Sequence, residues 1–476
     1  MARYIGIDAG TSMVKAAAFD ERGQVLRVES RPVALSLQSG RAEQDMDEVY
    51  GAVTAVLSAL AAAVEGPFAL IGLTGQGDGV WLVDESGRPV RAAVSWMDGR
   101  AGELVDAWQS AGVVERVFRR SGSAMFPGCP GPVLAWLDQH EPAVLDTAAA
   151  AVYCKDMVFQ RLTGIRATDV SDASMPFLDP RTRTYDDEVL RELGLAHRRG
   201  LLPPVSDPIA VGTLGADSPL AGTPVTGGPY DLPACALGAG VTEAGDGLLI
   251  VGTCLASLVS VREVDLAGEP AGLHISTDRP GHWLRAMPAM VGTAALDWVL
   301  RTTGVSHSEV DGLLDATPPG SRGVRVLPYF APSGERAPFV EPRLRAELTG
   351  VSLETTTADL VRATCEGIGF AARHCLEAAG LTGSLAICGG GTRSPAWMRL
   401  FAEVLGRPLR IVEGEVGARG AVLASAARQG VALDVAAWTA PTAVVEPDPA
   451  RAEFYTKAYD DHLQRLAAAR DRARAT

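Results

Sequence analysis

The sequence predicts an α/β protein made of two related halves. Residues 5–19 and residues 247–262 share one pattern, in which an apolar strand, a Gly-Thr turn and a returning strand follow one another. Each hairpin opens a half of the chain in which apolar strands alternate with segments of helical periodicity. This repeat indicates a duplicated domain with a cleft between the halves. The boundary is placed in the polar loop near residues 242–246, so the expected domains are 1–242 and 243–476.

The composition is that of an acidic globular protein. Of the 476 residues, 47% are hydrophobic and 21% are charged, which suits a chain with a large core. Asp and Glu number 57 against 43 Lys and Arg, and the net charge of −14 opposes a general attraction to nucleic acid or to an anionic membrane. We therefore expect neither as a partner.

Patterns of metal binding and of secretion are missing from the sequence. The seven cysteines form no CxxC pair and the seven histidines form no HExxH motif, which argues against a disulfide framework and against a zinc site. No run approaches the roughly 18 apolar residues of a membrane span, and the start of the chain lacks a signal-peptide pattern. These observations predict a cytoplasmic enzyme.

The first hairpin carries a candidate phosphate site. Its first strand leads into Asp8 and then into a turn that contains Gly10, Thr11 and Ser12. The N–H groups and hydroxyls of such a turn can cradle an anion. Asp8 beside a phosphate makes sense if Mg²⁺ lies between them, because Mg²⁺ prefers one or two carboxylates plus phosphate oxygens. The alternative is an ordinary β-hairpin with glycine in its turn.

Two further strands end in glycines and a carboxylate. The strand over residues 68–73 delivers Gln76 and Asp78 between glycines, where their side chains can hydrogen-bond the hydroxyls of a polyol. The strand that begins at residue 225 ends in glycines ahead of Asp231. A glycine-rich connection in the first case and a helix-capping Asp231 in the second are the alternatives.

Helices are predicted where apolar residues recur at helical spacing and where caps delimit them. The segments are 46–63, 102–108, 133–140, 156–162, 234–240, 359–379, 394–405, 417–427 and 452–469. Gly380 is the expected C-cap of the long helix over 359–379. Ser394 and Pro395 are the N-cap and first residue of the next helix, which follows three glycines at 389–391. Three glycines there allow a flat ring or a phosphate to approach closely.

Taken together, these stretches resemble the FGGY family of carbohydrate kinases over nearly the whole chain. The motifs that carry the resemblance are Asp8-Ala9-Gly10-Thr11-Ser12, Gly75-Gln76, Trp96-Met97-Asp98-Gly99-Arg100, Asp231 ahead of Ala-Leu-Gly-Ala-Gly, Gly252-Thr253, Gly334-Glu335-Arg336-Ala337-Pro338, Glu366-Gly367, and Gly389-Gly390-Gly391 before Ser394-Pro395. The resemblance implies two actin-like (ribonuclease H-like) domains with a cleft for ATP and sugar between them. The chain contains no GxxxxGK[ST] motif, so ATP is not expected in a Walker loop.

The resemblance also implies roles for individual residues. Asp231 would be the general base that takes a proton from a substrate hydroxyl, and Asp8 would lie near Mg²⁺, directly or through water. Gln76, Asp78 and Trp96 would face the sugar. Thr11 and Thr253 would hold phosphate oxygens from the two halves, and the three glycines would line the adenosine site. The full set of expected ATP-binding residues is Gly10, Thr11, Ser12, Lys15, Gly252, Thr253, Gly389, Gly390, Gly391 and Ser394.

The expected ligands are ATP, Mg²⁺ and a small sugar or polyol. Because Thr11 and Thr253 belong to different halves, closure of the domains on the ligands is expected. Family members are often dimers or tetramers, so the resemblance allows a homo-oligomer, and the sequence leaves the oligomeric state open. Filament-forming actin relatives and chaperone ATPases share this fold, but they would not need Gln76, Asp78 and Asp231 together.

The substrate motif departs from the better-known family members. Xylulose kinases usually carry Met-His after the Gly-Gln, and glycerol kinases carry Gln-Arg-Glu, whereas this chain has Gln76-Gly77-Asp78-Gly79. Small Gly77 and acidic Asp78 indicate an open, hydroxyl-rich pocket. The surrounding string is similar to erythritol kinases first and to L-xylulose kinases next, so a four-carbon polyol is the leading expectation. A xylulose-type ketose kinase and a catalytically weak polyol sensor are the alternatives.

Overall fold

The computed structural model describes residues 2–475, which form two compact units. The first unit comprises the chain up to Gly240 together with Arg262–Leu284 and Gly414–Ala440. The second comprises Val241–Val261, Arg285–Glu413 and the chain from Pro441 onward. The polypeptide therefore passes between the units several times, and the single boundary at residues 242 and 243 stays a prediction.

The strands alternate with helices along both units. In chain order the strands are β1 (Arg3–Ala9), β2 (Met13–Phe19), β3 (Val25–Pro32), β4 (Ser36–Gln38), β5 (Arg41–Gln44), β6 (Phe68–Gly75), β7 (Trp81–Val83), β8 (Ala93–Val94), β9 (Ala150–Val152), β10 (Thr168–Asp169), β11 (Leu178–Asp179), β12 (Thr184–Tyr185), β13 (Val205–Ser206), β14 (Val211–Thr213), β15 (Pro224–Gly227), β16 (Gly247–Val251), β17 (Leu255–Val261), β18 (Leu273–Ser276), β19 (Trp283–Pro288), β20 (Arg325–Leu327), β21 (Glu347–Thr349), β22 (Leu385–Cys388), β23 (Leu409–Ile411) and β24 (Ala443–Val445).

The α-helices, in the same order, are α1 (Met46–Ala63), α2 (Gly102–Ser110), α3 (Val113–Ser121), α4 (Pro130–His140), α5 (Pro142–Thr147), α6 (Cys154–Thr163), α7 (Val170–Ala173), α8 (Asp187–Glu192), α9 (Asp231–Gly238), α10 (Thr293–Thr303), α11 (Val310–Ala316), α12 (Thr357–Ala379), α13 (Pro395–Leu405), α14 (Val416–Arg428), α15 (Val435–Trp438) and α16 (Pro449–Ala475).

The central sheet of the first unit has the strand order β14-β15-β6-β1-β2-β3. Strands β1 and β6 run parallel with Ala9 opposite Gly75, and β15 runs parallel to β6 with Gly227 opposite Leu73. Three neighbouring strands therefore end at the same edge of the sheet. Ligands of α/β proteins gather at such an edge.

Helix α1 covers one face of this sheet, and its predicted bounds are confirmed. Its buried residues recur at helical spacing and share a core with the strands of the first hairpin; they are Met46, Val49, Ala52, Val53, Val56, Leu57 and Leu60. By length and composition alone α1 is apolar enough to cross a membrane. A helix that buries one face in a protein core can have the same length and composition.

Helix α14 packs so closely on the sheet and on α9 that only glycine fits at four contacts. Added Cβ atoms on Gly6, Gly72, Gly238 and Gly420 would lie between 1.8 and 2.1 Å from backbone oxygens of the facing segment, far inside any real Cβ contact. The small-residue helices predicted near 234–240 and 417–427 are confirmed. Their lack of side-chain bulk is what allows backbone to meet backbone.

The second unit repeats the hairpin arrangement of the first. Its sheet contains the consecutive strands β17-β16-β22-β23-β24. Strand β16 pairs antiparallel with β17 and parallel with β22, as β1 pairs antiparallel with β2 and parallel with β6. The repeat that the sequence predicted is therefore present in the strand pairing itself.

Most predicted helices are found with ends that differ by a few residues, and two differences matter. Helix α9 begins at Asp231 with Tyr230 as its N-cap residue, so the interpretation of Asp231 as a helix cap is wrong. Helices α3 and α10 were not predicted, although buried residues recur at helical spacing in both.

The tightest of the glycine contacts can be tested by substitution. We expect Gly420→Ala to lower the free energy of unfolding by about 3 kcal/mol or more, because the new Cβ would lie 1.8 Å from the carbonyl oxygen of Ala234 and α14 would have to move. Urea denaturation followed by circular dichroism measures the change.

Gly51→Ala is the matched control, because nothing lies within 4 Å of a Cβ on this exposed residue of α1. That variant should gain about 0.5–1 kcal/mol from helix propensity. Equal stabilities of the two variants would contradict the packing described for α14.

Candidate active site

Three carboxylates of the first unit collect at the shared edge of β15, β6 and β1. Asp8 lies near the end of β1, Asp78 follows β6, and Asp231 begins α9 after β15. Asp8 and Asp78 both act electrostatically on Asp231 and raise its pKa. The sequence predicted these residues separately, and the parallel register brings them together.

Two hydrogen bonds tie the strand ends to one another. The Thr74 hydroxyl donates to the carbonyl oxygen of Pro229 at 2.7 Å, which links the end of β6 to the segment before Asp231. The N–H of Gln76 donates to the carbonyl oxygen of Ala9 at 3.0 Å, which continues the pairing of β6 with β1. The polar segments are therefore held in register by the backbone and by one threonine.

Asp231 has the electrostatics of a general base. Its pKa is raised from the usual 3.8 to about 8, first by burial and then by the negative charge of Asp8. A backbone hydrogen bond at Leu232 acts in the opposite direction, and Asp78 adds a smaller repulsion. A carboxylate that binds a proton this readily near neutral pH is suited to accept one from a substrate hydroxyl.

Asp8 lies against the first turn of α14. Its Oδ2 would be 3.1 Å from a Cβ on Gly417, so the absence of a side chain there lets the carboxylate approach the helix N-terminus, where negative charge is favoured. The pKa of Asp8 is nevertheless raised to about 6, by burial and by Glu415, with Lys15 acting to lower it. The Lys15 ammonium lies 3.3 Å from Glu415, and its predicted contact with ATP stays a prediction.

The acidic groups around Asp8 fit a divalent cation shared with phosphate. Glu415 raises the pKa of Asp8, and Asp8 raises that of Asp231, so negative charge accumulates here without a matching number of cations. Within residues 2–475 no group of three or more His, Cys, Asp or Glu could hold a metal by itself. Mg²⁺ commonly uses one or two carboxylates and completes its octahedron with phosphate oxygens and water. The residues therefore fit Mg²⁺ that binds together with a nucleotide, and the role of Asp8 as its ligand stays a prediction.

Gln76 is buried, and its side-chain amide is hydrogen-bonded at both ends. Its Oε1 accepts from the Thr11 hydroxyl at 3.0 Å, and its Nε2 donates to Oε1 of Gln44 at 2.8 Å. The indole N–H of Trp96 donates to the same Thr11 hydroxyl at 2.9 Å. The predicted roles of Gln76 as a sugar ligand and Thr11 as a phosphate ligand stay predictions, and the network gives both residues a second task, which is to hold the half-buried Trp96.

The strand that carries Gln44 is pinned by charged groups. The buried Asp98 carboxylate accepts from the N–H of Ala42 at 2.6 Å and from Nε of Arg100 at 2.8 Å. Arg100 also donates to Glu43 at 2.6 Å. Asp98 and Arg100 therefore hold the strand whose Gln44 accepts the hydrogen bond from Gln76.

Asp78 adopts a strained backbone conformation. Its φ of 56° lies in the left-handed region, which costs a residue with a Cβ about 1–2 kcal/mol. Burial raises the pKa of the Cys129 thiol well above its usual value and Asp78 raises it further, so the thiol stays protonated and hydrogen-bonds to the Asp78 carboxylate. Strain of this kind concentrates at binding sites, where the neighbouring structure enforces it.

A buried ion cluster next to the site was missed by the sequence reasoning. The ammonium of Lys155 lies 2.6 Å from Asp156, 2.9 Å from Asp169 and 3.0 Å from Asp172, and all four side chains are buried. Burial is the largest cause that raises the pKa of Asp172 and Asp156, and the neighbouring carboxylates raise it further while Lys155 lowers it. Lys155 is one of only three lysines in the chain, and Asp156 directly follows it, but nothing in the sequence indicates that Asp169 and Asp172 meet the same ammonium.

In the second unit, the two segments predicted to bind nucleotide lie side by side. The Gly252-Thr253 turn joins β16 to β17, and Gly389 follows β22, the parallel neighbour of β16. Cβ atoms on Gly389 and Gly391 would lie 2.6 and 2.3 Å from atoms of Val251, the last residue of β16. Nothing lies within 4 Å of a Cβ on Gly390, so this peptide is open to a ligand.

Ser394 has a structural partner on each side of its hydroxyl. The oxygen accepts from the N–H of Trp397 at 3.2 Å and the hydroxyl donates to Asp311 at 2.5 Å. The prediction that Ser394 is the N-cap of α13 is confirmed. Its contact with ATP stays a prediction, as do the contacts of Gly10, Ser12 and Gly252. The binding of phosphate by both Thr11 and Thr253 also stays a prediction.

Comparison with known protein families accounts for most of the chain. Residues 3–238 match the FGGY family of carbohydrate kinases, N-terminal domain, and residues 248–428 match the FGGY family of carbohydrate kinases, C-terminal domain. These ranges include the candidate catalytic residues of the first unit and the glycine segments of the second.

Individual relatives agree with the family match. The chain is 35% identical to an erythritol kinase from Brucella abortus (strain 2308), over 96% of this chain and 94% of that protein, and 29% identical to a xylulose kinase from Escherichia coli (strain K12), over 87% of each. The crystal structure of a xylulose kinase from Rhodospirillum rubrum superposes with a TM-score of 0.90 at 28% identity, covering 99% of this chain and 100% of that one. The α/β fold and the resemblance inferred from the motifs are thereby confirmed. The chain belongs to the FGGY family of carbohydrate kinases and is an ATP-dependent sugar or polyol kinase.

Proposed function

We propose that this kinase phosphorylates a hydroxyl of a small acyclic polyol, with Asp231 as the general base. The observation that carries the proposal is the position of Asp231 at the aligned strand ends, where burial and Asp8 raise its pKa to about 8. A base of this strength can take the proton of an alcohol as the oxygen begins to bond to phosphorus.

In the proposed reaction, the acceptor oxygen attacks the γ-phosphorus of ATP, the bond from that phosphorus to the ADP oxygen breaks, and the alcohol proton passes to the Asp231 carboxylate. Asp8 would hold Mg²⁺, which supplies positive charge beside the phosphate oxygens. Phosphoryl transfer depends on positioning and charge neutralisation more than on covalent chemistry. The rigid register of β1, β6 and β15 supports such positioning.

Erythritol is the leading acceptor in this proposal. The 35% identity to an erythritol kinase over nearly the full length supports it, as does the Gln76-Gly77-Asp78-Gly79 motif. A xylulose-type ketose kinase is the alternative, supported by the xylulose kinase relative and structural neighbour. A cytoplasmic location, a homo-oligomeric state and domain closure stay predictions.

A substrate panel tests the acceptor. ADP release with Mg-ATP, followed by a coupled assay, would be measured with erythritol, threitol, glycerol, xylitol, D- and L-xylulose, ribulose and gluconate. We expect erythritol to show the highest kcat/KM. A site whose buried polar groups are all paired by the hydroxyls of erythritol would leave some of them unpaired with any other acceptor, and that lowers kcat/KM. A ketose in first place would favour the alternative, and tight polyol binding in calorimetry without ADP release would identify a sensor.

The role of Asp231 as base is tested by Asp231→Asn. The amide keeps the shape of the side chain but cannot take the proton, so kcat should fall by about 10²–10⁴ while KM for ATP changes little. Asp217→Asn, which removes a carboxylate from an exposed loop of the same unit, is the matched control and should retain full activity. Near-normal turnover of the Asp231 variant would remove this residue from the mechanism.

The same variant should change how stability depends on pH. Because the pKa of Asp231 is about 8 in the folded protein against 3.8 when unperturbed, the folded state binds more protons between these values, and stability falls as pH rises through this window. We expect Asp231→Asn to melt at a higher temperature than the parent at pH 8 and at nearly the same temperature at pH 4.5. Calorimetry of metal-free, nucleotide-free protein at both pH values measures the difference, and an equal offset at both would contradict the cause given for the raised pKa.

A further inference from the structure

Tyr230, the residue directly before Asp231, fills the space over Gly77. Its side chain is 1% exposed. A Cβ on Gly77 would lie 2.5 Å from Cδ2 of the ring and 2.8 Å from Cε2. The expectation that small Gly77 leaves the pocket open is therefore wrong, because the Tyr230 ring occupies that space. Gly77 is required for the ring to reach the segment that carries Asp78.

The position of Tyr230 is set by its backbone neighbours. Its N–H donates to the Ser171 hydroxyl at 3.3 Å, and the preceding carbonyl, that of Pro229, accepts from Thr74. The backbone at Tyr230 is thus held between the end of β6 and the start of α9. This is the place from which Asp78 and Asp231 are presented to a substrate.

The Tyr230 hydroxyl has no hydrogen-bond partner among the described residues, although it is buried. Two other tyrosines of this unit do have one: the Tyr153 hydroxyl donates to the carbonyl of Met175 at 3.3 Å, and that of Tyr185 donates to the carbonyl of Pro203 at 2.8 Å. A buried hydroxyl without a partner destabilises the fold, and phenylalanine would fill the same volume without that cost. The ring explains the size of the residue, but it does not explain the hydroxyl.

The charges that act on this hydroxyl come first from the acceptor site and then from the Lys155 cluster. After burial itself, Asp78 and then Asp231 are the main causes that raise the pKa of Tyr230 well above its usual value, and Asp172 and Asp169 add to them. The phenol therefore stays protonated and can donate a hydrogen bond. A neutral donor that lies within the electrostatic influence of two carboxylates complements a polyol, whose hydroxyls both donate and accept.

We infer that Tyr230 is a specificity-determining residue whose hydroxyl donates a hydrogen bond to a secondary hydroxyl of the acceptor. The inference rests on the proposed function in one respect, which is that the acceptor is an acyclic polyol. The hydroxyl is shielded from solvent in the unliganded protein. When substrate binds, rotation of the side chain brings the hydroxyl to the substrate, and the hydrogen bond forms. Its missing partner is then supplied by the substrate.

Tyr230→Phe tests the inference, because it removes only the hydroxyl. With erythritol, kcat/KM should fall by about 10- to 100-fold, mainly through KM, since the substrate hydroxyl loses its donor in a buried site. The acceptors 1,2,4-butanetriol and 1,2,3-butanetriol each lack one hydroxyl of erythritol. For 1,2,4-butanetriol, which lacks a secondary hydroxyl, the parent and the variant should differ by less than about threefold, whereas 1,2,3-butanetriol, which lacks a primary one, should show the loss seen with erythritol. Without substrate, the variant should melt at the same temperature as the parent or higher.

Tyr153→Phe is the matched control, because it removes a buried hydroxyl that has a protein partner. That variant should melt at a lower temperature and keep the parent's ratio of kcat/KM between tetrol and triols. An unchanged kcat/KM of Tyr230→Phe with erythritol, or an equal loss with the tetrol and with both triols, would overturn the inference. If the panel assay shows another polyol to be the preferred acceptor, that polyol and its deoxy analogues replace erythritol, so failure of the proposed acceptor is distinguished from failure of the role of Tyr230.

Discussion

The first unit depends on one packing constraint, the contact of α14 with the glycines of β1, β6 and α9. Gly6 and Gly72 let the helix backbone rest on two parallel strands, and Gly238 and Gly420 let it rest on α9. These contacts hold the first turn of α14 against Asp8 and hold α9, with Asp231 at its start, beside the same strand ends. Since the contacts join backbone to backbone, no rotation of a side chain can loosen them.

That constraint concentrates negative charge in a small volume. Asp8 and Asp78 both repel the negative charge of Asp231, and the Lys155 cluster next to them holds three carboxylates with one cation. Desolvation and repulsion raise the pKa of Asp8 to about 6 and that of Asp231 to about 8, so the unliganded site is destabilising at neutral pH. This concentration of negative charge suits phosphoryl transfer. The carboxylate that acts as base needs a high affinity for a proton, and the metal ion that accompanies a nucleotide offsets the negative charge. Active sites often retain such strain at the expense of stability.

Much of the site could be predicted from the sequence, because its residues follow strand ends. Asp8, Gln76 and Asp231 each follow a short apolar run and have glycines close by in the sequence, and that pattern is local. The engagement of Gln76 and Thr11 with Gln44 and Trp96 was not predictable, since hydrogen bonds between residues far apart in the chain leave no periodic trace. Asp156 adjoins Lys155 in the sequence, but only the fold brings Asp169 and Asp172 to the same ammonium.

The sequence by itself determined the α/β class, the repeated hairpin and the family, because strand periodicity, glycine turns and ordered motifs are properties of neighbouring residues. Only the tertiary structure decided that Gly77 makes room for Tyr230 rather than for substrate, and that Asp231 begins a helix rather than capping it. The tertiary structure also decided which carboxylates lie close enough to interact, as Asp8 and Asp78 do with Asp231. The physical reason is that burial and Coulomb interactions depend on distances through space, and those distances arise only when parallel strands and a closely packed helix bring distant segments together.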